Sequence, residues 1–253
     1  LDESWIHVEI DRVTDPELAA KLTAGVRRVL EDVREAFEDA DRMRRQVLAI
    51  AESLGTDPPV GLPVEEVTEA RALLEWLADP VEEHFTLLGY REYELRTEAG
   101  QLALAARVGS GLGLLRADRP GSVSFDQLPA QVRRHALDPV LLIVTKANSR
   151  STVHRPAYLD YIGVKVFDEQ GRVVGERRIL GLFTPAAEAE TVTRVPVVRR
   201  KVDAVLARSG FPPGAHSWRD LLEILQTLPR DELFQADPGY LTRTALAVLH
   251  LQE

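Results

Sequence analysis

A long helical pattern near the start of the chain constrains its fold more than any other feature. Apolar or small residues recur from Leu18 to Leu54, and the ten steps between them cover 36 residues, a mean of 3.6 per step. They stand at positions 18, 22, 26, 29, 33, 37, 40, 43, 47, 50 and 54. A period of 3.6 lines one face of an α-helix, so the stripe predicts one continuous helix about 54 Å long. Two ordinary helices with a bend near Ala40 are the alternative.

A helix-start signal precedes this stripe. Asp15 can cap the first turn, Pro16 suits the first helical position, and Glu17 adds an acid to that turn. Because such a helix is too long for most small domains, we expect an arm that joins domains or packs against another subunit. Ahead of it, residues 4–11 alternate apolar and polar side chains, which predicts a half-buried strand.

The middle of the chain predicts an antiparallel sheet. Four segments with strand character form two consecutive hairpins, 85–95 with 101–107 and 161–167 with 173–184. The second hairpin turns at residues 168–171, an acidic loop that ends in glycine. Residues 140–146 are nearly all apolar, so we expect a central strand there. Consecutive hairpins favour an antiparallel sheet over a doubly wound parallel one.

Helices are predicted on both sides of these strands. A breaker rich in proline and glycine at residues 55–63 ends the long helix. The later predicted helices span about 64–78, 127–137, 194–209, 217–227 and 238 onward. At the junction of residues 229–235 we expect Arg230 and Asp231 to cap or pair, and Leu233 and Phe234 to dock into a core. The predicted fold class is therefore α+β, an antiparallel sheet flanked by long helical arms.

Composition excludes several classes of function. The chain has 253 residues, 45% of them hydrophobic, which is ample for a buried core. A net charge of −9 argues against nucleic acid as a partner, and the lack of cysteine excludes disulfides and thiolate chemistry. No stretch could span a bilayer and no signal peptide opens the chain, so we expect a cytoplasmic protein without a membrane partner. Because the chain opens in a predicted strand and closes in a predicted helix, we expect a piece of a longer polypeptide.

The polar run from Lys146 to Arg155 offers the most binding chemistry. It leaves a predicted buried strand and contains Lys146, Arg150, His154 and Arg155 together with small hydroxyl side chains. Cations and hydroxyls at the end of a strand can hold a carboxylate or a phosphate, so these four residues are the candidate effector-binding site. The alternative is a connecting loop whose polar groups satisfy the backbone or a neighbouring domain.

Other motifs do not form convincing sites. Residues 109–114 look like a dinucleotide fingerprint, but Leu114 stands at the third glycine position and no long helix follows. We interpret them as a glycine turn beside a strand. Ser151, His154 and Asp160 lack the nucleophile elbow and oxyanion hole of a hydrolase. The six histidines have no helical ligand spacing, so we predict no metal site, catalytic residue or cofactor-binding residue here.

Several longer motifs, taken together, resemble a known family. Residues 145–183 (TKANSRSTVHRPAYLDYIGVKVFDEQGRVVGERRILGLF) are similar to a signature of the large bacterial NAD-specific glutamate dehydrogenases. Further matches are LEWL at 74–77, LGYRE at 88–92, GSGLGLLR at 109–116 and PRDELFQ at 229–235. The resemblance covers nearly everything from about residue 64 onward, and its specificity lies in the order of the motifs. Thr184 and Leu87 depart mildly, since a serine and an aromatic residue are expected there.

The resemblance implies a large enzyme of which this chain is a non-catalytic part. The whole enzyme converts glutamate and NAD to 2-oxoglutarate, ammonium and NADH at a site well C-terminal to this segment. We therefore expect this chain to be inactive alone and NAD to bind only elsewhere in the full-length protein. The N-terminal half of such enzymes resembles a string of ACT and PAS-like modules linked to assembly and to allosteric response to amino acids.

On that comparison the chain divides into three parts. Residues 1–63 are the end of a preceding ACT-like module plus a long linker helix. Residues 64–190 form a PAS/GAF-like α+β domain, and residues 191–253 form a helical segment that leads to the next module. The expected partners are other domains and subunits of the same homo-oligomeric enzyme. Two functions stay open, a regulatory and assembly segment or an amino-acid sensor with its effector at residues 146–155.

Overall fold

The long apolar stripe forms one helix. A computed structural model describes residues 5–98, 101–116 and 138–251. Helix α1 (Pro16–Thr56) runs for 41 residues without a break, which confirms the single-helix prediction and excludes a division near Ala40. Asp15 caps this helix by accepting a hydrogen bond from the Glu17 backbone N–H at 2.9 Å, and Pro16 occupies its first turn.

The strand predicted at residues 4–11 is wrong. Residues 5–15 have no regular secondary structure, and Trp5 and Ile6 are 94% and 83% exposed. A strand is stable only where its N–H and C=O groups pair with a neighbouring strand. None of the strands in the described part of the chain pairs with this segment, so its alternating pattern finds no partner there.

Both predicted hairpins lie in one sheet, which has six strands among the described residues. The strands are β1 (Phe85–Glu98), β2 (Gln101–Ala106), β3 (Leu112–Gly113), β4 (Leu142–Arg150), β5 (Tyr158–Phe167) and β6 (Val173–Phe183). All pairings are antiparallel, in the order β2-β1-β6-β5-β4, with β3 paired to β1. The β1–β2 and β5–β6 hairpins confirm the antiparallel α+β class.

Strand β4 differs from its prediction in length and position. It continues to Arg150 instead of ending at Lys146, and it lies at one edge of the sheet instead of the centre. Its residues Leu142 and Val144 are half-buried and pack against the main core. An apolar run indicates that side chains are buried, but it cannot distinguish a central strand from an edge strand covered by helices.

Six further helices lie in the described residues. They are α2 (Val64–Leu77), α3 (Pro185–Ala189), α4 (Val198–Ser209), α5 (His216–Thr227), α6 (Arg230–Gln235) and α7 (Pro238–His250). The helices predicted from about residues 64, 194, 217 and 238 are confirmed within a few residues. Helix α3 was not predicted, because its five residues are too few for a periodic pattern. The helix predicted at 127–137 lies outside the described residues.

The sheet separates two apolar clusters. In the larger, Ile162 and Ile179 pack against side chains of α1, α2 and α4 to α7. In the smaller, on the opposite face, Leu180 and Leu182 pack against Ala36 of α1. Successive side chains of a strand point to opposite faces, so β5 and β6 contribute to both clusters. Helix α1 therefore reaches both layers of the fold.

The glycine turn at residues 109–114 packs against α1. Gly113 has a φ of 55°, and a Cβ there would lie 2.3 Å from the Leu88 carbonyl oxygen. Only glycine tolerates both this backbone conformation and so close an approach. The Gly113 N–H and Arg116 Nε each donate to Asp39 Oδ2 at 2.9 Å. The glycine-turn interpretation is confirmed, and the turn fixes the middle of α1 to the sheet.

Candidate functional sites

The predicted effector-binding run occupies the end of β4 and the loop into β5. Lys146 Nζ lies 2.6 Å from Asp160 Oδ1, because the two residues are register partners on adjacent strands. The Phe183 N–H donates to Asp160 Oδ2 at 3.0 Å. Arg155 Nη2 donates to the Phe183 carbonyl oxygen at 2.8 Å. Two of the four predicted residues, Lys146 and Arg155, are therefore linked through Asp160 and the Phe183 backbone.

Asp160 is the centre of this network, and the sequence did not predict its role there. Its side chain is 2% exposed. Burial raises the pKa of Asp160, the nearby Asp231 charge adds to that rise, and the hydrogen bonds from Lys146 and the Phe183 backbone only partly offset it. An anionic ligand at Lys146 would therefore compete with Asp160 for the ammonium group.

The other two predicted residues lie apart from this network. The Arg150 guanidinium is 5.1 Å from the centroid of the Tyr158 ring, a cation–π distance. His154 is exposed in the loop and has a φ of 65°. Thr152 Oγ1 donates to Asp32 Oδ2 of α1 at 2.6 Å. The run thus helps to dock α1 on the sheet, and an effector site made by all four residues stays a prediction.

A group of buried charges on β5 and β6 was not predicted. Lys165 Nζ lies 2.9 Å from Glu176 Oε2, and both side chains are at most 3% exposed. Arg178 Nη2 donates to Glu176 Oε1 at 3.0 Å, and the Tyr161 hydroxyl donates to the same oxygen. The Arg178 guanidinium also lies 4.1 Å from the centroid of the Tyr93 ring. We call these five residues the Glu176 cluster.

The Glu176 cluster holds one carboxylate between two cations. Burial alone would raise the pKa of Glu176, but Arg178 and Lys165 hold it below its usual value, with help from the Tyr161 hydroxyl. Burial raises the pKa of Tyr161, which keeps that hydroxyl protonated and able to donate. The only sequence signal was the presence of charged residues, Lys165 in β5 and Glu176 to Arg178 in β6, within strands that are otherwise largely apolar. Because Glu176 has three donors, we interpret the cluster as structural.

A cavity of about 420 Å³ lies between α2, β4 and α4. Its wall combines apolar side chains such as Leu142 and Phe234 with the charged residues Glu69, Arg200 and Lys201. Lys201 donates through Nζ to three carbonyl oxygens at the end of α6, so it caps that helix. The volume is within the range of small-ligand sites, but its charged wall residues Glu69 and Lys201 already hold structural partners.

Glu69 joins α2 to the start of α4. It accepts hydrogen bonds from Arg199 Nη2 at 2.8 Å and from the Val197 N–H at 2.7 Å. Burial opposes ionisation of Glu69, but these two partners lower its pKa below the ordinary 4.5. A group with a lowered folded-state pKa stabilises the fold above its unfolded pKa. That contribution is lost as the pH falls through the folded value.

Glu69→Gln is therefore expected to lower the free energy of unfolding by about 1–2 kcal/mol near neutral pH. The value is modest because Arg199 is partly exposed, so solvent screens its pairing with Glu69. The difference from wild type should shrink as the pH falls below 4.5 and should be lost once the pH passes the lowered folded-state pKa, where Glu69 is protonated in the folded state as well. Urea unfolding at a series of pH values measures this. Glu75→Gln on the same helix, which removes an exposed pair with Arg71, is the matched control. A difference that did not depend on pH would contradict the role given to Glu69.

The described part of the chain offers neither a metal site nor a membrane-spanning helix. Within residues 5–98, 101–116 and 138–251, no three His, Asp or Glu side chains come together in a way that could hold a metal ion. None of the helices in these ranges combines the length and the hydropathy that crossing a membrane requires.

Several known proteins are similar to this chain. Residues 195–253 match the family model "Glutamate dehydrogenase, helical motif 1". The chain is 39% identical over 254 residues to the NAD-specific glutamate dehydrogenase of Halomonas elongata, and 39% identical over 253 residues to that of Pseudomonas aeruginosa. It is 30% identical over 251 residues to the NAD-specific glutamate dehydrogenase of Mycobacterium tuberculosis. These alignments cover 99% of the chain but only 16%, 15% and 14% of the three proteins.

The similarity to these proteins extends well beyond the short motifs that first indicated it. The alignments run through nearly every residue of the chain, and the family model covers its helical end. The resemblance is thereby confirmed: almost the whole chain corresponds to one segment, about a sixth of the length, of the large NAD-specific glutamate dehydrogenases.

Proposed function

We propose that this chain is a non-catalytic regulatory and assembly segment of a large NAD-dependent glutamate dehydrogenase. The full-length protein would convert glutamate and NAD to 2-oxoglutarate, ammonium and NADH, and would bind NAD outside this segment. The observation that carries the proposal is the alignment of 99% of the chain with 14–16% of proteins named NAD-specific glutamate dehydrogenase. The proposed partners are other domains and subunits of the same enzyme.

The architecture supports a role in transmitting position between modules. Two aspartates fix helix α1 to the sheet. Asp39 accepts hydrogen bonds from the Gly113 N–H and from Arg116, and Asp32 accepts one from Thr152. On the other side, Glu69 holds the start of α4. A long helix and a helical bundle attached to one sheet would move together. Packed side chains and hydrogen-bond networks of this kind can carry energetic coupling between distant sites.

The three-part division supports the same proposal. We propose a PAS/GAF-like domain at residues 64–190, since its open antiparallel sheet has one face covered by helices. Residues 1–63 would then connect it to a preceding module and residues 191–253 to a following one. In this arrangement the segment sets the distance between the preceding and the following module.

The alternative function is an amino-acid sensor whose effector binds at residues 146–155. Arg150 favours it, because its exposed guanidinium lies over the Tyr158 ring and can still donate hydrogen bonds to a carboxylate. Against it, Lys146 and Arg155 already hold protein partners. A thermal-shift screen of the chain with amino acids and 2-oxo acids separates the two functions. A ligand at 100 times its Kd adds about 2.7 kcal/mol of stability, which moves the unfolding midpoint by several degrees.

The proposed function predicts two measurable results. The purified chain should form no NADH from glutamate and NAD, because the segment is proposed to lack the active site.

In the full-length enzyme, Arg150→Ala should raise the concentration of amino-acid effector needed for half-maximal response by about tenfold if the sensor alternative holds. The effector response should be unchanged if the segment is a scaffold.

A matched control accompanies these measurements. Arg172→Ala removes an exposed arginine that pairs with Asp168 in the β5–β6 turn, outside the run. It should not change the effector response under either function. NADH formation by the isolated chain would contradict the non-catalytic role outright.

A further inference from the structure

We propose that the cavity between α2, β4 and α4 binds a small carboxylate that carries a short apolar tail. The carboxylate lies at Arg200. The tail packs against Leu142, Val144 and Phe234. This site is separate from the run at residues 146–155. Binding there is a property of the chain itself, so it does not depend on the role of the segment in the full-length enzyme.

The cavity lies where the sheet meets the helical end of the chain. Leu142 and Val144 of β4 form one side of it. Other wall residues, such as Arg200 and Phe234, belong to residues 195–253, the part that matches the helical-motif model. The volume of about 420 Å³ suits a small ligand. A molecule bound there therefore contacts both parts of the chain at once.

Part of the cavity wall is apolar. Phe234 is buried, and Leu142 and Val144 are half-buried beside the main core. Ala70 on α2 and Ala204 on α4 also line the cavity, and their small side chains leave room between the two helices. An apolar tail placed here leaves water and packs against carbon atoms, which favours binding.

The charged residues of the wall leave one positive charge in excess. They are Glu66, Glu69, Arg200 and Lys201. Glu69 is neutralised by Arg199, which stands outside the wall and donates to it at 2.8 and 3.0 Å. Of the remaining three charges, one is acidic and two are cationic. A cavity with a surplus of positive charge favours an anion over a cation.

Arg200 is the cation that can hold the carboxylate. Among the residues that the structure describes, it has no hydrogen-bond or ion-pair partner, although its charge helps to lower the pKa of Glu69. A guanidinium presents two parallel N–H donors to a carboxylate. Lys201 differs, because its Nζ already donates to three carbonyl oxygens at the end of α6. Lys201 therefore contributes charge, and Arg200 supplies the hydrogen bonds.

A strained residue lines the same cavity. Val197 has a φ of 69° and a ψ of −48°, which a β-branched residue rarely adopts. Its N–H donates to Glu69 Oε2 at 2.7 Å, so Glu69 holds it in this conformation. Such strain persists only where the surrounding structure fixes it, and it is concentrated at ligand-binding and catalytic sites. The strain at Val197 supports the cavity as a site, while its cation and apolar wall define the ligand.

Isothermal titration calorimetry of the chain with isocaproate tests the carboxylate position. Isocaproate should bind at least about tenfold more tightly than isocaproamide, its neutral analogue, because only the acid forms charge-assisted hydrogen bonds with Arg200. Arg200→Gln should weaken isocaproate binding by about tenfold and remove the preference for the acid. Arg208→Gln replaces an exposed arginine in the last turn of the same helix. It is the matched control and should leave the affinity unchanged.

Ala204→Leu tests the position of the apolar tail. The larger side chain occupies the space that the tail needs, so isocaproate should bind at least about tenfold more weakly. Circular dichroism verifies that each variant is folded.

Leucine distinguishes two sources of the same chemistry, since it carries the carboxylate and the tail together with an ammonium group. Glu66 Oε1 accepts from the Leu141 N–H at 3.0 Å, and its other oxygen has no hydrogen-bond partner within the described ranges. Tighter binding of leucine than of isocaproate would identify an amino acid as the ligand, with Glu66 holding its ammonium. Tighter binding of isocaproate would identify an acid without that group. Both results require the carboxylate site at Arg200.

Three results would overturn the proposal. The first is a wild-type chain that does not bind isocaproate. The second is an affinity that either Arg200→Gln or Ala204→Leu leaves unchanged. The third is binding that is lost in Arg150→Ala and kept in Arg200→Gln, which would place the carboxylate at residues 146–155. None of them alters NADH formation by the isolated chain, so failure of this site and failure of the proposed function are separate results.

Discussion

Glu176→Gln is expected to lower the free energy of unfolding by about 3–5 kcal/mol, the cost of leaving a buried charge without its partner. The charge concerned is Lys165, whose side chain is 2% exposed and whose ammonium lies 2.9 Å from Glu176. Arg178 loses the same carboxylate, although its side chain is 27% exposed and can recruit water. Urea unfolding of wild type and variant near neutral pH measures the difference.

The effect of this substitution should depend on pH in one direction. Burial opposes ionisation of Glu176, but Arg178 and Lys165 lower its pKa below the ordinary 4.5. The stability it contributes is therefore fully present above pH 4.5 and is lost as the pH falls through the folded value. The variant lacks this contribution at every pH. The gap between wild type and variant should thus be widest above pH 4.5 and close in more acidic solution.

Two controls distinguish loss of the Lys165–Glu176 ion pair from the mere replacement of a charged side chain on a strand. Lys165→Met combined with Glu176→Gln removes the buried ammonium as well, so it should recover much of the stability lost in the single variant. Glu94→Gln breaks the exposed pair with Arg96 on β1, which solvent screens, and should change stability far less than Glu176→Gln does. If Glu176→Gln cost no more than Glu94→Gln, the Glu176 cluster would not stabilise the fold.

The elements that could be predicted from the sequence are those set by local patterns. The helical period of the stripe in α1 depends only on residues close together in sequence. The helix and its cap at Asp15 could therefore be predicted. The hairpins β1–β2 and β5–β6 followed from strand character on either side of short turns. The strand at residues 4–11 failed for the opposite reason, since a strand depends on a partner that its own pattern does not contain.

The chemistry of the candidate sites depends on register, which local patterns do not give. Lys146 was recognised as a cation at the end of a strand, but only the β4–β5 pairing shows that Asp160 lies opposite it. Lys165 and Glu176 face each other through the β5–β6 register. A shift of one residue would point each side chain to the opposite face of the sheet. The residues that carry charge could therefore be listed from sequence, but their partners could not.

The second large effect concerns Arg230, at the start of α6. Its side chain donates to the carbonyl oxygens of Ala187, Glu188 and Glu190 at 3.1, 2.8 and 2.6 Å. These carbonyls belong to the end of α3 and the residue after it, where a helix leaves its acceptors unpaired. Arg230 is 1% exposed, and burial lowers its pKa. The expectation that it would cap or pair is confirmed, since it caps α3 from a distance of 40 residues or more in sequence.

Arg230→Met is expected to destabilise the chain by about 4 kcal/mol, because hydrogen bonds to a charged group contribute about 1.5–3 kcal/mol each and the acceptors stay buried. A cation at a helix N-terminus is unfavourable for that helix. Arg230 therefore stabilises α3, whose carbonyl groups it binds, and not α6, in which it stands. Arg230→Lys keeps the charge but cannot span three acceptors with a planar fork, and should fall between wild type and Arg230→Met. Arg219→Met, at an exposed position of α5, should change stability by less than about 0.5 kcal/mol. Urea unfolding measures all three variants, and an Arg230→Met variant as stable as Arg219→Met would show that α3 does not need this cap.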